Sequence, residues 1–189
     1  MNIKQATQDL LEIKAVLDNL RIKFWLTHGT LLGAIREKSF IGTDGDMDIR
    51  ILAEDWSPKI CEAFIAMNFR CASIRHYPPL ITKLSLRKRV KTDLALEYYY
   101  PPDDVYICLT KNPDDHMTII ASNLYKGDYF IQFLGRQFRV PNPPEQLLEW
   151  YYGNWKVPTT PAEFPGYIKT RKVILIDKYL KYFSGAPNE

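Results

Sequence analysis

The stretch DGDMDIRILA from Asp44 to Ala53 constrains the fold more than any other part of the chain. From Asp46 to Ala53 polar and apolar residues alternate, which is the pattern of a strand with one face buried. Residues two apart on a strand share a face, roughly 7 Å apart along the backbone, so the carboxylates of Asp46 and Asp48 converge. With no obvious basic partner beside them, they repel each other unless a cation lies between them. A hard cation such as Mg2+ (or Mn2+) takes oxygen ligands and keeps water and phosphate oxygens in its shell, so it suits the pair. Taken alone, the same letters also describe a turn, because Asp and Gly are common there.

The residues before the acidic run favour the site over the turn. Phe24 to Thr27 reads as a short buried strand. His28, Gly29 and Thr30 turn the chain into a helix from Leu31 to about Lys38, with Thr30 as its N-cap. Amides at a helix start, together with the positive end of its dipole, attract a phosphate group. Gly29 lets the chain approach such a phosphate, Thr30 offers a hydroxyl and Arg36 offers a bidentate contact. Each is generic alone: Gly29-Thr30 as a helix start, Arg36 as a solvated charge. A phosphate cradle and a metal pair in one strand-helix-strand unit explain each other.

An attacking hydroxyl also needs a group to accept its proton. Asp93 is the best candidate. It lies in a strand from Val90 to Tyr99 in which Leu94, Leu96 and Tyr98 fill one face while Asp93, Ala95 and Glu97 share the other. Edge exposure and a site wall both fit that pattern; Glu97 is the second choice.

The remaining chain reads as a single α+β domain spanning 1–189, with helical N- and C-terminal segments. Leu10, Ile13, Leu17 and Leu20 recur at helical steps in the segment Ile3 to Leu20, and Ser57-Pro58 starts a helix carrying Ile60, Phe64 and Met67. Strands are expected at Phe69 to His76, Leu80 to Lys88, Val105 to Thr110, and Tyr129 to Val140 with a break at Gly135. Their short spacing implies a largely antiparallel sheet. Pro143 and Pro144 open a helix from Glu145 to Tyr152 that Gly153 closes, and a last helix covers Tyr167 to Phe183, with Val173 to Ile176 as its buried face.

Composition narrows the class. Hydrophobic residues make up 46% and charged residues 25% of the 189, as in folded proteins rather than disordered ones. Cys61, Cys71 and Cys108 are too few and too scattered for a disulfide framework or a zinc knuckle, which fits a reducing, cytoplasmic setting. No segment has the apolar length to span a bilayer, although peripheral contact with a membrane stays open. The basic run Arg87, Lys88, Arg89 and Lys91 is the sole notable hint of nucleic-acid binding, and such runs are usually solvated, so no nucleic acid is expected as a partner. His76 and His116 lack partners at metal-ligand spacing.

The segment GTLLGAIR (Gly29 to Arg36), Phe40-Ile41 and DGDMDI (Asp44 to Ile49) resemble the LicD family, which includes bacterial phosphocholine transferases and fukutin-type ribitol-phosphate transferases. VPNPPEQLLEWYYGNW, Val140 to Trp155, is similar to that family's C-terminal signature. The resemblance covers roughly residues 20 to 160 and implies a nucleotidyltransferase-like mixed sheet flanked by helices. It also implies a Mg2+-type metal on Asp46 and Asp48, with Asp93 as the third acidic ligand. The sequence departs from the family at Thr43 and Gly45, where relatives usually carry Trp and three consecutive acids, and at His28, which replaces a small residue.

The expected activity is transfer of an alcohol phosphate, phosphocholine or a polyol phosphate, from a CDP-linked donor to the hydroxyl of a carbohydrate or lipid-linked glycan. Nucleotidyl transfer with release of pyrophosphate is the alternative within the same constellation. From another class, a non-catalytic nucleotide-binding module fits the departures at Gly45 and His28.

Overall fold

Residues 1–110, 116–159, 171–172 and 176–184 are described in the structure, a computed structural model. The N-terminal pattern forms α1 (Ile3–Asn19), which buries Leu10, Ile13, Val16 and Leu17. Asn2 caps it, its side-chain oxygen accepting the Gln5 N–H at 3.1 Å. Opposite charge then fastens α1 to the sheet. Asp9, fully buried, accepts from the backbone N–H groups of Arg89 and Val90 and from the Arg89 guanidinium.

The sheet grows around two central strands. β1 (Phe24–Leu26) pairs antiparallel with β2 (Asp46–Leu52), and β2 pairs parallel with β5 (Lys91–Tyr100). A parallel pair needs a crossover. Here it runs through α3 (Pro58–Ala66) and the hairpin of β3 (Arg70–Tyr77) and β4 (Leu80–Arg87), and β4 then pairs antiparallel with the first half of β5. Beyond Glu97, β5 pairs instead with β6 (Val105–Thr110), which leads to β7 (His116–Ala121) and β10 (Arg171–Lys172). The result is a mixed, largely antiparallel sheet flanked by helices.

One side of the central strands is apolar. Met47, Ile49 and Ile51 of β2, Leu94 and Leu96 of β5, and Leu84 and Leu86 of β4 join α1 and α3 in one buried cluster. The other side carries polar groups, and α2 (His28–Leu32) and α4 (Pro144–Tyr152) meet there through the stacked rings of His28 and Tyr151. A separate hairpin, β8 (Phe130–Phe133) and β9 (Arg136–Arg139), turns at Leu134 and Gly135. Both turn residues have positive φ, 52° and 73°, the geometry that suits a two-residue connection between twisted strands.

Three expectations change. The helix after the Gly-Thr turn starts earlier, at His28, with Thr27 rather than Thr30 in the capping position, and widens into a π turn over Gly33–Glu37 that Lys38 ends at φ 53°. Thr30 is committed elsewhere. The last helix, α5, is described over Ile176–Phe183, and Arg171–Lys172 is strand because it pairs with β7. The expected helical positions 167–170 and 173–175 lie outside the described residues. β7, finally, had no expected counterpart; its pairing with β6 gives six residues a ladder that local pattern did not announce.

Candidate active site

Asp46 faces Lys91, and Asp48 faces Asp93, across the parallel β2–β5 register. The period of two therefore gathers Asp46, Asp48 and Arg50 from one strand with Lys91, Asp93 and Glu97 from the other on a single face. Side-chain bonds across the strands agree with this. Lys91 Nζ donates to Asp46 Oδ2 at 2.6 Å and to Asp93 Oδ2 at 3.0 Å. Lys83 Nζ, from β4, donates to the same Asp93 oxygen at 2.5 Å, and Ser85 Oγ donates to Asp93 Oδ1 at 2.8 Å.

The carboxylates thus do have basic partners, contrary to the sequence expectation. Lys91 precedes Asp93 by two residues, so the spacing rule that paired Asp46 with Asp48 also places this lysine beside Asp93. Lys83 and Ser85 depend on the β4–β5 register, in which Ser85 faces Asp93. That register has no local signature.

The carboxyls of Asp93 and Asp48 are shifted in opposite directions. Burial pushes Asp93 up, but hydrogen bonds from Lys83, Lys91 and Ser85 outweigh it and hold the group below its ordinary range. Asp48 is raised to about 7, first by burial and then by the negative charges of Asp46, Asp44 and Asp93. Among the described residues, no three acidic, histidine or cysteine side chains converge tightly enough, as placed, to hold an ion. The donor chemistry nevertheless fits a hard divalent cation, with carboxylate oxygens gathered on one face and a lysine ammonium already standing between Asp46 and Asp93.

The Gly-Thr turn abuts these acids. A Cβ on Gly29 would lie 2.0 Å from Asp44 Oδ2, so glycine is what lets that carboxylate tuck against the turn. Thr30 Oγ1 accepts the Asp48 N–H at 2.9 Å and ties the turn to β2. With α2 only five residues long, its dipole is small, and the turn's own polar groups matter more for an anion than the dipole does. Arg36 sits on the π turn, where Nη1 donates to the Trp155 carbonyl at 2.9 Å and Nε to Glu37 at 2.6 Å. It joins the GTLLGAIR segment to the YGNW segment.

Behind the acids lies a buried polar support. Arg50 is ion-paired with Glu97, each side chain only 1% exposed, so Glu97 is committed to Arg50. His28, at φ 45°, places Nε2 3.5 Å from Arg50 Nη2 and stacks on Tyr151 with 4.5 Å between ring centroids. Burial, then the charges of Arg50 and Lys83, push its imidazole well below the ordinary value, so the ring is neutral near pH 7. The histidine that departs from the family pattern is therefore a packing bridge between the turn and α4.

Most of the basic run is used internally. Lys88 bonds Glu12 and the Met67 carbonyl, Arg89 bonds Asp9 and Glu12, and Lys91 serves the acids. The three cysteines are free thiols. No described helix is long and apolar enough to cross a membrane.

A mixed sheet whose central strands present acidic residues beside a Gly-Thr turn defines a nucleotidyltransferase fold, and solved structures share it. The lincomycin-bound lincosamide antibiotic adenylyltransferase LnuA superposes with a TM-score of 0.53 at 14% identity, covering 82% of this chain and 90% of that one. The antibiotic-resistance factor ANT(2'')-Ia, in its solution structure, gives 0.51 at 16%, covering 87% and 78%. At these identities the likeness is one of fold. The chain belongs to the family described as LicD/FKTN/FKRP, nucleotidyltransferase domain, whose model matches residues 21–143. Ribitol-5-phosphate transferase FKTN of Macaca fascicularis is 24% identical over 172 residues, covering 84% of this chain and 35% of that protein. The human protein of the same name is 24% identical over 169 residues, covering 82% and 34%. The chain spans about a third of the length of these curated relatives.

Proposed function

We propose that the protein is a metal-dependent phosphotransferase that moves an alcohol phosphate from a CDP-linked donor to a glycan hydroxyl. The observation that carries this reading is the β2–β5 register, which sets Asp46, Asp48 and Asp93 on one face beside Gly29 and Thr30. Family membership supports it, since matched relatives are named ribitol-5-phosphate transferases.

In this reaction the acceptor hydroxyl oxygen attacks the phosphorus that carries the alcohol, and the bond from that phosphorus to the bridging oxygen breaks. CMP leaves with that bond's electron pair, and the hydroxyl proton passes to the departing phosphate or to water. Asp46 and Asp48 would hold a Mg2+-type ion, with Asp93 completing the acidic set. The chemistry such an ion would supply is neutralisation of charge on the diphosphate. The Gly29-Thr30 turn would lie beside the diphosphate once Asp44 moves aside, with the Thr30 hydroxyl holding the turn to β2, and Arg36 would reach a phosphate oxygen by exchanging its carbonyl partner. Asp93, held ionised by two lysines, is a weak proton acceptor and better suited to orienting the acceptor hydroxyl. The acceptor is a carbohydrate or lipid-linked glycan.

Release of CMP from a CDP-alcohol, measured with and without Mg2+, tests the reading. It should require the ion and disappear in Asp46→Ala and Asp48→Ala. Full activity in the double variant would overturn the metal assignment. Pyrophosphate from a nucleoside triphosphate, with no CMP from any CDP-alcohol, would replace phosphotransfer with nucleotidyl transfer. Nucleotide binding without turnover would make the domain a binding module.

A further inference from the structure

Lys91 stands in an unusual place for a site expected to take a cation. Its ammonium lies 2.6 Å from an Asp46 oxygen and 3.0 Å from an Asp93 oxygen, so it bridges two of the three acids. A Mg2+ ion sits roughly 2.0–2.1 Å from such oxygens, which leaves no room for an ammonium in the same gap. Two positive charges that close also repel. An ion shared by Asp46 Oδ2 and Asp93 Oδ2 would therefore have to take the ammonium's place.

Lys91 is built for the exchange and Lys83 is not. The Lys91 side chain is 36% exposed on a flexible four-carbon stem, whereas Lys83 is 18% exposed and pairs only with Asp93 among the described ion pairs. When Lys91 leaves, Lys83 and Ser85 still hold Asp93 in place. A released ammonium at the rim of this face is then next to the anionic ligand that accompanies the ion.

We propose that Lys91 is a tethered counter-ion that holds Asp46 and Asp93 together until a divalent cation displaces it, and then contacts the donor's phosphate. It is a positioning residue before the ion binds and a phosphate ligand afterwards. This rests on the metal assignment made above.

The test uses the full chain and Mn2+ as probe, followed by calorimetry and by the spin-resonance signal of free ion. Lys91→Met should bind Mn2+ alone about tenfold more tightly, because no ammonium competes. The same variant should bind CDP less tightly at saturating Mn2+, and Lys91→Arg should stay closer to the parent in both. In the unaltered protein, Mn2+ should speed acylation of the Lys91 amine, read by mass spectrometry, which keeps the proposal testable if a variant fails to fold. Unchanged or weaker Mn2+ binding by Lys91→Met, or Lys91 acylation indifferent to Mn2+, overturns the exchange while leaving the metal assignment intact. Absence of Mn2+ binding in both parent and Lys91→Met removes the metal assignment and the exchange together.

Discussion

The Thr30 hydroxyl accepts the backbone N–H of Asp48 at 2.9 Å, so the Gly-Thr turn and the strand that carries the acids are joined by a buried hydrogen bond. Thr30 is 1% exposed and water cannot readily replace the bond. Thr30→Ala should cost about 1–3 kcal/mol, the penalty of leaving a buried N–H unpaired. Thr30→Ser, which keeps the oxygen, should recover most of that in urea unfolding. Equal losses in the two variants would show that the methyl group matters and the hydroxyl does not.

Asp48 makes stability depend on pH in the absence of ions. Its carboxyl is raised from 3.8 to about 7 in the fold, so the unfolded chain releases this proton first. The group is neutral to stability below about pH 4 and opposes folding increasingly as the pH rises through about 7. Asp48→Asn removes that penalty. In chelator at pH 8 the variant should unfold at higher urea than the parent, by roughly 1–4 kcal/mol, with the difference shrinking towards pH 4. A constant gap at both pH values would contradict a raised Asp48.

Two glycines in the same segment should answer alanine differently. At Gly33 a Cβ would meet the Ser39 carbonyl oxygen at 2.5 Å and backbone atoms of Phe40 and Ile41 within 3.3 Å, none of which can swing aside. At Gly29 its three nearest neighbours would all be atoms of the Asp44 carboxylate, the end of a flexible side chain. Gly33→Ala should therefore lower stability by about 1–3 kcal/mol, with Gly29→Ala costing clearly less. Gly29→Ala should act mainly on donor binding by displacing Asp44, and adding Asp44→Ala should not worsen its thermal midpoint.

Arg50 and Glu97 form the other sensitive pair. Removing one partner leaves a buried charge, so Arg50→Met or Glu97→Gln should each cost about 3–5 kcal/mol. Replacing both with apolar residues of similar size should cost much less than the sum, which a double-mutant cycle in urea would measure. Additive losses would mean that the two side chains do not support each other.

How much of this was legible follows from the range of each contact. The Asp46 to Leu52 strand and its acidic face could be read because a period of two is written into adjacent letters. The same rule placed Asp93 and Glu97 together and, applied two residues earlier, reaches Lys91. The parallel pairing of β2 with β5 was not legible, since it depends on a crossover through α3, β3 and β4. Local pattern alone makes Thr30 a helix cap, because its actual partner, Asp48, is a tertiary neighbour. His28 could be seen as a departure, but its stacking on Tyr151 in α4 joins residues far apart in the chain.

The split course of β5 also grades the compliance of the acidic face. From Lys91 to Ala95 the strand is laddered on both edges, to β2 and to β4, whereas Asp46 opens β2 beyond the reach of β1, which ends opposite Ile49. Backbone amides around Asp93 should exchange with deuterium more slowly than those around Asp46. The face therefore pairs an acid on a strand held at both edges with one on a strand end held at a single edge, so under the proposed metal reading ions of different radius would be accommodated by movement of Asp46 rather than of Asp93.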